Sequence, residues 1–407
     1  MFENALLLAI AIVVVALLFH PRLRQSRDWR AMVTPLASII GSGFLVAAPL
    51  LAHAANGWAL PAMAGIVLVA YGIGEVIRYN IRYAEPLLSG EQVSRDQQSN
   101  LLLVVERFSA LVLGLAYVIS VAFYLRLLAS FVLRAMEMES EFLANMITTG
   151  ILVFIALIGL WRGLGGLESL EKIAVSIKLA IIAALLVGLA GFDVEWLAQA
   201  DSEIRYRPME DWVYSLQLLA GILLIIQGFE TSRYLGAEYD AETRIRTMRY
   251  AQILAGVIYL LFIGLSLPLL GDFHDQRDET AIIALSAMVA SILPAMLIVA
   301  AVMSQFSAAV ADTAGSGGLL SEFSRRRLTP SFGYALVAAT AIVLVWSATI
   351  FEIITIASRA FAFYYLLQCV VALIASRGRG HFVRRVGFVA VASLLLLVVV
   401  FAIPDGQ

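Results

Sequence analysis

The chain has 407 residues, 61% of them hydrophobic and 14% charged, with a mean hydropathy of +0.90 and a formal net charge of -2. A soluble domain is roughly a quarter charged, so this composition excludes a water-soluble globular protein and requires a bilayer as solvent. The single cysteine, Cys369, excludes an internal disulfide and a cysteine-built metal site, and His20, His53, His274 and His381 are too scattered for a metal cluster.

Apolar runs fall at 4–19, 31–55, 58–82, 102–134, 141–161, 170–192, 212–236, 250–271, 281–312, 332–348, 351–375 and 386–403. They predict an all-α, polytopic membrane protein of about twelve helices. The first run follows Glu3 rather than a basic residue. Arg22, Arg24, Arg27 and Arg30 come after it, and it ends in no small-residue cleavage site. It is expected to be a retained helix with its N-terminus outward. The run at 281–312 is long enough to tilt strongly as one span.

Loop charge gives an independent check, because cytoplasmic loops are rich in Arg and Lys. Alternate loops carry Arg22 to Arg30; Arg78, Arg82, Arg95 and Arg107; Arg162 and Lys172; Arg233, Arg244, Arg246 and Arg249; Arg325 to Arg327; and Arg377, Arg379, Arg384 and Arg385, most of the 28 basic residues. The loops between them carry Glu137, Glu139 and Glu141; Asp193, Glu195, Asp201 and Glu203; and Asp272, Asp275, Asp278 and Glu279. This alternation puts both termini outside an inner membrane. No Gly-rich phosphate loop, no His-Glu-x-x-His pair and no paired catalytic residues at one depth occur. ATP-driven transport, an intramembrane enzyme, a cofactor and a nucleic-acid partner are not expected.

Two apolar runs look broken. In Ala37-Ser-Ile-Ile-Gly-Ser-Gly-Phe44, Gly41 and Gly43 bracket Ser42, with Pro49 beyond; in Ile226-Gln-Gly-Phe-Glu-Thr-Ser-Arg233, Gly228 precedes polar residues. Backbone at membrane depth must be satisfied internally, and interruptions at matching places in two halves of a transporter mark its binding site. Glycine amides at a half-helix N-terminus bind a carboxylate, and freed carbonyls bind ammonium or sodium. Close helix packing is the other explanation for Gly41 and Gly43. The run at 31–55 opens one set of five spans and that at 212–236 the next, giving repeats at 31–192 and 193–377. An extra helix lies in 1–30 and another in 378–407.

At these residues the chain resembles the amino acid–polyamine–organocation superfamily, whose members share the LeuT fold. Ile39-Ile-Gly-Ser-Gly-Phe-Leu-Val-Ala-Ala-Pro49 is similar to that family's first-helix pattern, and Gly228-Phe-Glu230 with Glu238 to its sixth. Ala174-Val-Ser-Ile-Lys-Leu179 resembles the fifth helix, and Ser307 to Pro330 the eighth and its exit. The likeness covers about 31–377. Departures are Tyr239 to Ile245, where the family has Asn-Pro, and Arg82 to Pro86, where it has a Gly-Gly turn.

The resemblance implies substrate contacts at Ile40, Gly41, Ser42, Gly43, Gln227, Gly228 and Phe229. It places Tyr117 and Tyr124, seven residues apart on one face of the third core helix, beside the site, although packing also explains them. In this fold a sodium ion joins carbonyls of the first helix to hydroxyls of the eighth. In proton-coupled relatives a fifth-helix lysine takes that place. Lys178 matches that lysine, with the carbonyls of Ala37 and Ile40 and the hydroxyls of Ser304 or Ser307 as partners; snorkelling to the surface is the other explanation. Among further ionisable residues at membrane depth, Glu230 is expected to hold the sixth-helix break. Asp312 and Arg359 either pair with each other or one of them meets the substrate. Glu75 and Arg126 are expected to be structural.

We therefore read the chain as a proton-coupled transporter of an amino acid or related small organic solute, working among membrane lipid. Sodium coupling, an inorganic-ion carrier and a non-transporting sensor or partner subunit stay open.

Overall fold

The structure is a computed structural model, and it describes residues 2–89, 97–162, 165–198, 211–271, 278–323 and 329–404. Of the loop charges named above, Arg95, Asp201, Glu203, Asp272, Asp275 and Arg325 to Arg327 lie outside these residues, as do the side chains of Arg162 and Lys172.

The described residues form helices α1 (Phe2–Leu18), α2 (Pro21–Gln25), α3 (Arg27–Ile39), α4 (Ser42–Ala55), α5 (Ala59–Tyr83), α6 (Glu85–Ser89), α7 (Gln97–Ala135), α8 (Glu141–Arg162) and α9 (Gly165–Leu197). They continue with α10 (Trp212–Ile222), α11 (Thr231–Tyr234), α12 (Ala241–Leu270), α13 (Ala281–Val289), α14 (Leu293–Phe323), α15 (Pro330–Ser347), α16 (Ile350–Ala375) and α17 (Phe382–Phe401). Among the described residues, ten stretches are long and apolar enough to span a membrane, with α3 and α4 counted as one, and α1 and α10 are shorter apolar helices.

Burial sorts these helices into an inner and an outer set. In the most apolar window of α3–α4, 94% of residues are buried; in α17 only 17% are. The broken helix α3–α4 is therefore the centre of the bundle. Leu68, Trp161, Val343 and Val383 project from its outside, where lipid is their solvent. The terminal helix α1 packs along α9, burying Leu7 and Ala11, and Asn4 donates to Ser291 Oγ at 2.8 Å. At the other end α17 lies against α16 and α5.

Two expectations change. The run at 281–312 is not one tilted span. It divides into α13 and α14 at Ala290, whose backbone is extended (φ -157°, ψ 141°). Pro294, in the first turn of α14, cannot accept a helix running through it, because its ring would strike the carbonyl four residues back. The helix expected from 250 starts instead at Ala241. Asp240 caps it, accepting from the Thr243 amide at 2.9 Å and hydroxyl at 2.8 Å. Arg244, Arg246 and Arg249 therefore stand on helix rather than loop.

Candidate functional site

The two glycine-rich interruptions are real breaks, and they lock into each other. The helix α3 ends at Ile39, Ile40 and Gly41 leave the helical path, and α4 restarts at Ser42. The second break runs from α10 through a 3-10 turn at Leu223–Ile226 to irregular Gln227 and Gly228, and α11 restarts at Thr231. Gly228 has φ +109°, and a β-carbon on it would sit 2.3 Å from Ser38 Cβ. A β-carbon on Gly43 would sit 2.0 Å from the Ile225 carbonyl oxygen. Only glycine permits that conformation and those approaches.

Three side chains satisfy the backbone groups the breaks release. Glu230, 1% exposed, accepts from the Gly228 amide at 2.9 Å and from the Tyr365 hydroxyl. Thr231 Oγ1 donates to the Gly228 carbonyl at 2.7 Å. Tyr259 on α12, fully buried, points its hydroxyl at the Ile39 and Ile225 carbonyls, each 3.1 Å away, and so spans both breaks. Unpaired, each of these groups would cost about 1–3 kcal/mol in a dry interior.

A small cavity lies beside the breaks. Its walls include Ser38 and Gly41; Tyr117 and Tyr124; Lys178; Gln227, Gly228, Glu230 and Thr231; Ser304, Ser307 and Asp312; and Phe361. On α14 the lining positions 304, 307, 308, 311 and 312 follow helical spacing and form one stripe. The room inside is about 30 Å³, enough for one or two waters, so the site is closed around its own side chains. Lys178, only 6% exposed, donates from Nζ to the Ala37 carbonyl at 2.9 Å and to Ser304 Oγ at 3.1 Å. It therefore ties α3, at the break, to α14 and does not snorkel.

A second cavity, of similar room, is lined by Ser38, Ser42, Gly43, Phe123, Tyr124, Gln227, Ile354 and Ser358. A third, wider one of about 540 Å³ is lined by Arg126, Ser130, Glu141, Glu279 and Thr349 to Phe351. The lining positions descend α16 from 350 through 354 and 358 to 361, about 16 Å at 1.5 Å per residue. The three cavities thus follow one another along α16 from the acidic end of the bundle, and Ser38, Tyr124 and Gln227 line both of the inner two.

The basic end is shut. Arg233 on α11 pairs with Glu106 on α7 at 3.0 Å and Glu85 on α6 at 3.5 Å, and donates to Gln368 Oε1 on α16 at 2.5 Å. Arg244 binds Glu85 through two bonds, at 2.7 and 3.1 Å, and the Arg233 carbonyl at 2.9 Å. Gln368 also accepts from Asn80 at 2.9 Å and donates to Ser109 at 2.8 Å. The segment after the second break is fastened to four other elements.

Of the residues singled out from sequence, Ala37, Gly41, Tyr117, Tyr124, Lys178, Gln227, Gly228, Glu230, Ser304, Ser307 and Asp312 line the inner cavity, and Ser42 and Gly43 the second. Ile40 and Phe229 line neither. Ile40 is fully buried in the core, and Phe229 stacks on Tyr365 with ring centroids 5.2 Å apart. Nor does Arg359 join Asp312: it is exposed and donates to the Ala402 carbonyl. Glu75 pairs with Arg78 at 3.1 Å, and Arg126 with Ser130, Glu279 and Glu141, both structural arrangements. Sequence reasoning missed Ser38, Thr231, Tyr259, Phe361, Tyr365 and the Arg233 network. Buried amides such as Asn80 and Gln368 in apolar runs were the available signal.

Comparison with known proteins agrees with this architecture. A family model described as APC superfamily transporter matches residues 21–402. An uncharacterized protein of Aquifex aeolicus (strain VF5) is 46% identical over 382 residues, 94% of this chain and 92% of that protein. Among solved structures, a Na+-coupled sialic acid symporter in a substrate-bound outward-open state superposes with TM-score 0.55 at 13% identity, covering 100% of this chain and 99% of that one. The manganese transporter of Eremococcus coleocola gives TM-score 0.50 at 12% identity, covering 91% and 86%. At such identities these two establish the fold alone. The broken-helix bundle and the match over nearly the whole chain together place this protein in the APC superfamily of transporters.

Proposed function

We propose that the chain is a proton-coupled secondary transporter of an amino acid or related small organic solute, with both termini outside an inner membrane. The observation that carries this reading is the Lys178 ammonium between the Ala37 carbonyl and Ser304 Oγ. A monovalent cation at that place holds the first core helix to the eighth. A lysine there supplies the charge from the protein itself and exchanges it with protons rather than sodium. Protonated, Lys178 donates to both partners. After losing a proton to one side it holds α3 to α14 more weakly, and the broken helices can rock against the rest.

Backbone amides at the Gly41 break would take a carboxylate, and freed carbonyls around Gln227 and Gly228 an ammonium. The repeats 31–192 and 193–377 would exchange access by rocking of their broken helices. The cavities towards the acidic end and the Arg233 lock at the basic end support reading this arrangement as outward-facing. The carrier of an inorganic ion is the second reading, and the carboxylate of Asp312 in the cavity favours it.

The test is a thermal-shift screen of the purified protein against amino acids, amines, nucleobases and metal ions. A ligand at a hundredfold its Kd adds about 2.7 kcal/mol to the folded state. Stabilisation by an amino acid supports the proposal; stabilisation by metal ions alone refutes it.

A further inference from the structure

The arginines at the basic end of the bundle are not all used in the same way. Arg27, Arg78, Arg82, Arg233, Arg244 and Arg246 each meet a carboxylate, at 2.5 to 3.1 Å. Arg377, Arg379, Arg384 and Arg385, in the turn from α16 to α17 and the first turn of α17, pair with no carboxylate among the described residues.

The fold gathers these arginines on an aromatic platform. Gly378 and Gly380, with φ +76° and +66°, reverse the chain between the two helices, a conformation that a β-carbon resists. The helix α17 then runs back along α5, where the Phe388 ring meets Tyr79 edge to face, with centroids 4.9 Å apart. Tyr79 and Tyr83 lie one turn apart on α5 with ring centroids 4.6 Å apart, and His381 Nδ1 is 3.0 Å from the Tyr79 hydroxyl. The Arg384 guanidinium stands 5.8 Å from the Tyr79 centroid, and that of Arg379 stands 5.6 Å from the Tyr83 centroid. Each cation is held by a ring face, and the adjoining rings bring the two cations together. Arg379 also donates to the Ala375 carbonyl, but a guanidinium has five N–H donors, so most remain for a ligand.

Guanidinium groups without carboxylates match the oxygens of a phosphate. The surroundings decide which kind of phosphate. The helix α17 is the least buried of the spans. Its exposed Phe382, Val386 and Val389 follow helical spacing and form one apolar face, on which Arg385 also lies. A molecule that meets the arginines therefore meets an apolar stripe beside them. A soluble phosphate matches only the arginines, whereas a phospholipid matches both. Basic clusters at the end of a spanning helix attract anionic headgroups; a zwitterionic one would bring its own ammonium among four arginines.

We propose that the α16–α17 turn, with Arg379 and Arg384 held on Tyr83 and Tyr79, binds the phosphate of an anionic phospholipid whose acyl chains lie along Phe382, Val386 and Val389. The lipid fastens α17 to α5 and α16 at the basic end.

The test is equilibrium binding of a fluorescent short-chain phosphatidylglycerol to the purified full chain in uncharged detergent, followed by anisotropy. Phosphatidylcholine with the same chains and glycerol 3-phosphate are the competitors. The wild type is expected to prefer phosphatidylglycerol to phosphatidylcholine by at least fivefold, and a smaller preference overturns the proposal. Each arginine beside an anionic lipid is worth about fivefold in affinity, so the double variant Arg379→Gln/Arg384→Gln should bind phosphatidylglycerol at least fivefold more weakly. Arg22→Gln/Arg24→Gln removes the same charge from α2, which packs on α1 and α3, and should change affinity less than twofold. Equal losses in the two double variants would show a general charge effect and overturn the site. Glycerol 3-phosphate competing as well as the lipid would make the ligand a soluble phosphate and overturn the lipid. Should the Gln variant fail to fold, Arg379→Lys/Arg384→Lys, which keeps the charge, should retain the headgroup preference while the α2 variant still shows less than a twofold change; loss of that preference, or a fivefold loss in the α2 variant, overturns the proposal.

Discussion

A methyl group at Gly43 should force the two breaks apart. In Gly43→Ala the new carbon would lie 2.0 Å from the Ile225 carbonyl oxygen, 2.8 Å from its carbon and 2.9 Å from its α-carbon. Carbon atoms rest at about 3.5–4.0 Å, so α4 and the 3-10 turn must separate by more than about 1 Å. Backbone stands on both sides, so no rotamer change relieves the contact. The separation also stretches the Tyr259 hydroxyl away from Ile39 and Ile225, each now 3.1 Å from it. Overpacking costs about 1–3 kcal/mol, and the upper end is expected here. Gly318→Ala is the control: a β-carbon there meets nothing within 4 Å, and alanine gains about 1 kcal/mol over glycine within a helix. Equilibrium unfolding in mixed micelles, followed by tryptophan fluorescence, measures both. Wild-type stability in Gly43→Ala would refute the close approach of the breaks. Loss of ligand binding in a Gly43 variant would then report packing as much as lost amide contacts.

Removing Arg233 with alanine leaves Glu106 and Gln368 without their cation. Breaking such a pair costs about 3 kcal/mol and should loosen the basic end, so Cys369, fully buried beside Gln368, should react faster with maleimide; unchanged labelling and stability would remove the lock from the account. Tyr259→Phe should cost about 1–3 kcal/mol by leaving the Ile39 and Ile225 carbonyls unpaired, and a neutral result in the same unfolding assay would show that the hydroxyl holds neither. The amide and hydroxyl of Thr243 hold the Asp240 carboxyl below the usual carboxylate range. Because the folded pKa is the lower one, the cap's contribution is complete above the unfolded value near 4 and fades as pH falls below it. Amide exchange at Thr243, corrected for intrinsic rates, should therefore accelerate in acid, and constant protection down to pH 3 would contradict the cap. For topology, a cysteine at Glu137 should label from outside and one at Arg385 from inside; the opposite pattern would invert the chain in the membrane.

The breaks were legible because Gly41, Gly43 and Gly228 stand out in apolar runs that should otherwise be continuous helix. Lys178 was legible because an ammonium at membrane depth is rare, and its family motif named the partners Ala37 and Ser304. Direction was harder to read. Arg359 lies at membrane depth but on the face turned to the C-terminal segment, and position in a span does not tell one face from another. Ile40 and Phe229 adjoin the right motifs yet point into packing, for the same reason. The division at Ala290 was hidden because apolar residues continue across it, and Pro294 alone marked the restart. The roles of Tyr259 and Gln368 were not legible because their partners come from segments 34 to 288 residues away in the chain. Arg233, counted with the loop charges, is a buried cation whose function depends on Glu106 and Glu85 in a different half of the molecule.

The central claim is proton coupling through Lys178. The measurement that tests it most directly is uptake of radiolabelled amino acids by proteoliposomes under an imposed pH gradient, with and without sodium, for the wild type and Lys178→Ala. The account predicts accumulation that needs the proton gradient but no sodium, and its loss in Lys178→Ala. A sodium requirement, or a Lys178→Ala protein that accumulates substrate with the wild-type pH profile, would contradict it.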